Sequence, residues 1–303
     1  MAATEPRYFA LLCPSFHGAT MFSALMSNHS QICSAGDGNP RPKGDYRFPC
    51  TCRRKIDECD FWIGLKQLSE RTGGMWNGAW FPTTPRLVPA SPRASLLVAK
   101  ALTGVAFATG RNVMSAAAPG AARDFTGMVR SYVDYCTRYH AKSVFLDGEK
   151  SFSKYGSLQA CGFPIDGAIH LVRDPRAFAA SARKRGIDIA SASRLWRRLH
   201  RRLSDVAPWR GRTPVHRIRY EDLVAAPERE LASLLAFMGL GLEHLTRPPE
   251  LGRQHLIGNN IRGFDGVPRQ MGDGWRGALT DHEAEAVVRQ CGSLMETLGY
   301  TLS

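Results

Sequence analysis

Three short apolar runs punctuate this chain, and each stops abruptly in a polar cluster. Tyr8–Leu12 runs into Cys13–Thr20, Ser143–Leu146 into Asp147–Lys150, and Ala168–Val172 into Arg173–Pro175. Apolar runs this short, bounded by turn residues, read as buried strands. Helical spacing follows the first, with Met21, Phe22, Leu25 and Met26 on one face. After the third, Asp174 is a good N-cap and Pro175 suits the first helical position, so a helix is predicted over Phe178–Arg185. Another is predicted over about 191–206, with Leu195, Leu199 and Leu203 on its apolar face. A fourth strand, Val215–Tyr220, precedes a helix over about 227–238. A last helix starts from a capping box, Thr280 with Glu283. Strands alternating with helices imply an α/β protein with a mostly parallel sheet flanked by helices. Ligands of such sheets bind beyond the carboxyl ends of the strands, so the three polar loops are expected along one edge.

The 303 residues suit one large domain, 1–303. The segment from Ser34 to Pro92 is rich in Gly, Pro and Trp and reads as a long irregular excursion. Helical character returns over about 94–140, with Phe125, Val129, Tyr132, Val133 and Cys136 on one stripe. No apolar run reaches the roughly 18–20 residues of a membrane-spanning helix. The start carries Glu5 and Pro6 and lacks the features of a signal peptide, so a cytoplasmic location is expected. Lys and Arg outnumber Asp and Glu 40 to 27, a net +13. That excess suits a soluble basic surface or an anionic ligand, and charge alone does not choose.

The first loop has the makings of an anion site. Ser15-Phe16-His17-Gly18-Ala19-Thr20 joins a strand to a helix N-terminus, where backbone N–H groups face a phosphate. It lacks the Gly-Lys-Ser/Thr ending of a Walker A loop. At the end of the third strand, Arg173 offers a planar guanidinium suited to two-point phosphate contact, and Ser181 follows eight residues later.

Together these pieces resemble the PAPS-dependent sulfotransferase family, whose donor is 3'-phosphoadenosine-5'-phosphosulfate (PAPS). Leu171-Val172-Arg173-Asp174-Pro175-Arg176 with Ser181 is similar to that family's 3'-phosphate motif, and Pro14–Thr20 stands where its 5'-phosphosulfate loop belongs. Arg219-Tyr220-Glu221-Asp222-Leu223 resembles another family segment, in which the residue matching Tyr220 lies near the nucleotide. His255, Gly258, Asn259 and Arg262, then Trp275, resemble the closing loop of bacterial members. The resemblance implies a layout like that of the P-loop nucleotide kinases, with about 34–142 as an acceptor-shaping insertion. It implies PAPS as co-substrate, with Ser15, Phe16, His17, Gly18, Ala19, Thr20, Arg173, Ser181, Tyr220, Asn259 and Arg262 around it, and no metal. The acceptor would be a hydroxyl or amine on a small molecule, lipid or carbohydrate.

One position departs from the family. Its phosphosulfate loop carries Arg or Lys two residues before the glycine, where this chain has Phe16. Sulfuryl transfer needs positive charge near the leaving oxygen. Lys150, in Asp147-Gly148-Glu149-Lys150-Ser151, is the best candidate to supply it, with His17 helping if protonated. Glu149, His17 and Asp147 are candidates for the general base.

Cys50, Cys52 and Cys59 cluster in a chain whose other cysteines are scattered. Zinc could be held with Cys33 as a fourth ligand, but the usual Cys-x-x-Cys spacing is missing and the metal-free reading is favoured. Arg194, Arg197, Arg198, Arg201 and Arg202 form a basic helix face, either plainly solvated or in peripheral contact with an anionic surface. No nucleic-acid motif accompanies it. Two rival readings stand beside sulfuryl transfer. One is a P-loop kinase, disfavoured by the missing Walker lysine. The other is a non-catalytic anion-binding relative, which Phe16 keeps in play.

Overall fold

The computed structural model describes residues 5–38, 50–74, 80–204, 213–250, 252–258 and 273–302. Five strands, β1 (Arg7–Leu12), β2 (Ile32–Cys33), β3 (Val144–Asp147), β4 (Gly167–Val172) and β5 (Val215–Arg219), form one parallel sheet. Their order is β2-β3-β1-β4-β5, so β1 is central. The apolar runs are short and nearly unbroken because both faces of the sheet are covered. On β1, the two-residue strand period sends Phe9 and Leu11 into one core and Tyr8, Ala10 and Leu12 into the other.

Helix α1 (Ala19–Met26) lies on the Phe9 face and buries Phe22, Leu25 and Met26. It is joined there by two helices from later in the chain. On the Tyr8 face lie α2 (Asp60–Arg71), α3 (Pro92–Thr109), α4 (Val113–Ala117), α5 (Pro119–Tyr139) and α6 (Phe152–Ala160). The predicted α5 stripe is buried in full. Beyond β4 come α7 (Pro175–Arg183) and α8 (Ile189–Ser204), then α9 (Tyr220–Ala225) and α10 (Pro227–Phe237), which complete the Phe9 face. Helix α11 (Asp281–Thr297) packs against α7 and α8 around Val172, Phe178, Trp196 and Met295, and its Thr280–Glu283 capping box forms. Among the described residues no helix is long and apolar enough to cross a membrane.

Two expectations need correction. The excursion after Ser34 contains a regular helix, α2, whose Phe61, Trp62, Leu65 and Ser69 are buried. Its mean hydropathy is low because polar residues occupy the other face, which hid the period. Trp62 and Trp80 are core residues, 0% and 1% exposed; Trp76 lies outside the described residues. On α8 the buried face is Ala192, Ser193, Trp196 and His200, and the three leucines flank it half-buried. A histidine and a serine inside an apolar stripe rotate the apparent face by one position.

Candidate functional site

Parallel register brings the polar loops together. Ala10 pairs with Asp147, Leu12 with His170, and Val172 with Arg219. The residues that follow all leave the sheet at one edge, beside the central strand, where the strand order reverses.

The strand-to-helix loop after β1 is tight. Gly18 caps α1 with φ +80°, and a Cβ there would lie 2.7 Å from the Tyr220 ring. Only glycine fits both the backbone and the ring. Phe16 also has positive φ, 65°, without being glycine. Such a residue costs about 1 kcal/mol or more, and this kind of strain gathers at functional sites. Two contacts hold it: its ring packs on Phe178 at 6.0 Å, and its carbonyl accepts a 2.7 Å hydrogen bond from Arg173 Nη1.

Arg173 is the hub. It is buried at the end of β4, and Nη1 also reaches Ser181 Oγ at 3.4 Å. The eight-residue step works because Asp174 accepts from the Arg176 amide and caps α7, and Ser181 is then two turns along. The guanidinium lies 5.1 Å from the Tyr220 ring centre. Among the described residues its Nε has no hydrogen-bond partner. Burial lowers its pKa from the ordinary value, yet a guanidinium stays charged in proteins. A buried charged donor with spare capacity is costly unless an anion meets it. Glu221 braces this corner, accepting from the Asp174 amide at 3.0 Å and from Tyr300 OH at 2.8 Å.

His17 lies fully buried, facing away from the loop's open side. Its Nδ1 meets Ser15 O at 3.1 Å and its Nε2 meets His200 Nε2 at 2.8 Å. His200 Nδ1 in turn meets His170 Nε2 at 2.9 Å. The carbonyl fixes every tautomer: His17 donates from Nδ1, His200 from Nε2, and His170 from Nε2. Three neutral rings thus satisfy three hydrogen bonds in one direction. Burial lowers the pKa of His17 and of His170 to about 3, and lowers that of His200 well below its ordinary value. The expected help from a protonated His17 meets this cost, and both its nitrogens are already engaged.

The β3 end is organised by ion pairs. Lys150 has φ 61° and its ammonium bonds Asp37. Lys154, buried on α6, pairs with Asp147 at 2.7 Å and with Glu149 at 3.0 Å. Tyr8 OH also donates to Asp147. Burial would raise the Asp147 pKa, but Lys154, Tyr8 and the Glu149 amide outweigh it and hold it below its ordinary value. Burial opposes charge on Lys154 as well, and its two carboxylates reverse that and raise its pKa. Asp147 is therefore a poor proton acceptor.

Of the other expected residues, Thr20 lies on the first turn of α1, against Gly258: a Cβ on Gly258 would fall 2.3 Å from Thr20 Oγ1. The segment before Gly258 thus closes over the loop. Asn259 and Arg262 lie outside the described residues. Beside α6 a cavity of about 360 Å³ opens, lined by Thr103, Phe107, Phe152 and Ser153 among others. Its lining starts two residues past Lys150. Sequence reasoning missed Asp37, His170 and His200, because each is meaningful only through a partner distant in the chain, and it missed Lys154, whose partners Asp147 and Glu149 are near in sequence. Lys154 carried the one local signal, a cation four residues after Lys150 on the next helix.

The model of the sulfotransferase family matches residues 108–244, which hold the β3 end, Arg173, Ser181 and Tyr220. No curated protein matches the sequence. Among solved structures, the sulfotransferase domain from the Synechococcus PCC 7002 olefin synthase is similar at 18% identity and a TM-score of 0.54. The match covers 100% of this chain and 98% of that one. The sulfotransferase domain from the curacin biosynthetic pathway is similar at 16% identity and a TM-score of 0.50, covering 100% of both chains. The fold is that of sulfotransferase domains, with the layout expected from the sequence.

Proposed function

We propose that this chain, whose residues 108–244 match the sulfotransferase family model, transfers a sulfuryl group from PAPS to a hydroxyl or amine acceptor. One observation carries the reading. Buried Arg173 bonds the β1 loop and Ser181, stacks near Tyr220, and keeps Nε unpartnered. A 3'-phosphate is the dianion that geometry suits, and the α1 N-terminus beside it suits the 5'-phosphosulfate.

In this reading the acceptor oxygen or nitrogen attacks sulfur in line. The bond from sulfur to the bridging oxygen breaks, and 3'-phosphoadenosine 5'-phosphate leaves with the electron pair. Lys150 turns from Asp37 to the bridging oxygen, replacing the cation absent at Phe16. Glu149 takes the acceptor's proton, since Lys154, Tyr8 and the Glu149 amide lower the basicity of buried Asp147 and His17 is committed to its neighbours. The acceptor enters through the cavity beside α6, and positioning does most of the catalytic work. Arg173, Ser181, Tyr220 and residues 15–20 hold the nucleotide. A non-catalytic anion-binding role is the second reading, favoured by the Lys150–Asp37 pair and Phe16.

Thermal unfolding with 3'-phosphoadenosine 5'-phosphate, with ATP as control, tests the donor site. Ligand at about 100 times its Kd adds about 2.7 kcal/mol. The expected result is an upward shift with the 3'-phosphorylated nucleotide alone, absent in Arg173→Ala. No shift with either nucleotide refutes the donor assignment. A shift with no sulfuryl transfer to a panel of hydroxyl and amine acceptors moves the second reading to first.

A further inference from the structure

Away from the nucleotide edge, three sulfurs and an imidazole nitrogen converge. Cys50 and Cys52 sit on a turn before α2, Cys59 stands at the N-cap of α2, and His255 arrives from 196 residues beyond Cys59. Cys52 Sγ and Cys59 Sγ are 3.6 Å apart. His255 Nδ1 lies 3.5 Å from Cys50 Sγ and 3.2 Å from Cys59 Sγ. All four ligand atoms fall within 4.8 Å of one another.

These separations have a simple geometric meaning. With Zn–S of about 2.3 Å and Zn–N of about 2.0–2.1 Å in a tetrahedron, sulfurs stand about 3.8 Å apart and sulfur and nitrogen about 3.5 Å. A disulfide needs about 2.05 Å between sulfurs, and every cysteine here is free. The surroundings also suit metal-bound thiolates. Backbone N–H groups of Cys52, Arg54 and Trp62 face the sulfurs of Cys50, Cys52 and Cys59 respectively. Such amide donors are the usual outer shell of a metal site. The turn is closed by Cys50 N to Arg54 O, 2.9 Å, and by Arg53 N to Cys50 O, 2.9 Å. It requires Arg53 at φ 73°, a strain something must offset. Phe61 stacks on the His255 ring at 5.0 Å and Tyr139 meets it edge-on at 5.3 Å, which orients Nδ1 toward the sulfurs.

We propose that Cys50, Cys52, Cys59 and His255 bind one zinc ion as a closed, structural Cys3His site that fastens residues 252–258 onto the turn before α2. The sequence favoured a metal-free cluster, with Cys33 as the fourth ligand were zinc to bind; Cys33 sits instead in β2, and the fourth ligand is His255. Four protein ligands leave no open position, so the ion does no chemistry on substrate. Its consequence is positional. Thr51 Oγ1 donates to Gln254 O at 2.6 Å and accepts from Leu256 N at 2.9 Å. Ile257 bridges to the segment after β2, with Ile257 N to Ala35 O at 3.1 Å and Asp37 N to Ile257 O at 2.8 Å. Gly258 then presses on Thr20. Zinc thus anchors one end of the segment that covers the β1 loop and orders Asp37, the partner of Lys150.

The full chain, purified without added metal and passed over a chelating resin, should carry about one zinc by elemental analysis. Three of its thiols should react only after a mercurial displaces the ion. Less than about a tenth of a zinc per folded chain overturns the site, as does iron in its place. His255→Gln, which keeps the three thiolates, should lose zinc to a chelator concentration that leaves the wild type loaded; equal retention removes His255 from the ligand set. Stripping the wild type should lower its Tm and speed proteolytic cleavage near residues 252–258. Unchanged Tm and cleavage after stripping overturn the fastening role.

Discussion

The two sides of the sheet's carboxyl edge solve opposite electrostatic problems. On the Arg173 side, the buried guanidinium of Arg173 has no carboxylate partner among the described residues and spends its bonds on a carbonyl and a hydroxyl. On the Lys150 side every charge is matched: Lys150 with Asp37, Lys154 with Asp147 and Glu149. The first side is preorganised, and an anion gains the full value of an unshared donor. In the second both cations are already paired, so an arriving ligand must exchange one ion pair for another. Binding should therefore be governed by Arg173 and turnover by Lys150.

The most damaging way to probe that division is Lys150→Ala. Losing one electrostatic contact to developing charge typically costs 10²–10³ in kcat, about 3–4 kcal/mol. Turnover should fall by about that factor while nucleotide affinity, read by calorimetry, stays within about threefold. Affinity falling as much as turnover would erase the distinction. Arg173→Ala comes next: a charged hydrogen bond is worth about 1.5–3 kcal/mol, so Kd for 3'-phosphoadenosine 5'-phosphate should rise about tenfold to hundredfold. Weak ATP binding should be unmoved.

A third probe acts on the scaffold behind the first side. His17, His170 and His200 are held neutral in the fold, the first and second with pKa values of about 3 and His200 well below its ordinary value, against an ordinary 6.5 when unfolded. Folded values below unfolded ones mean that stability is complete above pH 6.5 and is lost as pH falls toward 3. From pH 7 to pH 6 the three should together cost about 2 kcal/mol, measured by urea unfolding at both values. Replacing His200 with Asn should shrink that pH dependence. The mildest change is Asp37→Asn. A half-exposed ion pair is worth about 1 kcal/mol or less, so turnover should move by less than about tenfold. A rise would mean that Asp37 restrains Lys150 in the resting state.

The same contrast explains what the sequence could reveal. Arg173 and Ser181 were legible because both belong to one strand–cap–helix unit, where Asp174 and Pro175 fix the spacing locally. Gly18 was legible because a helix-leading loop needs a residue with positive φ. Lys150 was legible as a charge but not as half of a pair, since Asp37 lies 113 residues earlier. His255 was read as part of a closing loop, yet its link to Cys59 is a tertiary fact with no local period. Helix α2 escaped notice because its polar face lowers the average that a scan perceives, although Phe61, Trp62, Leu65 and Ser69 keep the helical step.

The one-way imidazole chain also gives this protein a built-in reporter. Three ring N–H protons, each hydrogen-bonded and shut away from solvent, should exchange slowly enough with water to appear as separate downfield proton NMR signals. Only the His17 proton bonds a carbonyl of the β1 loop itself. A nucleotide entering that loop should shift this resonance most and the His170 resonance least, so occupancy could be followed residue by residue without any added label.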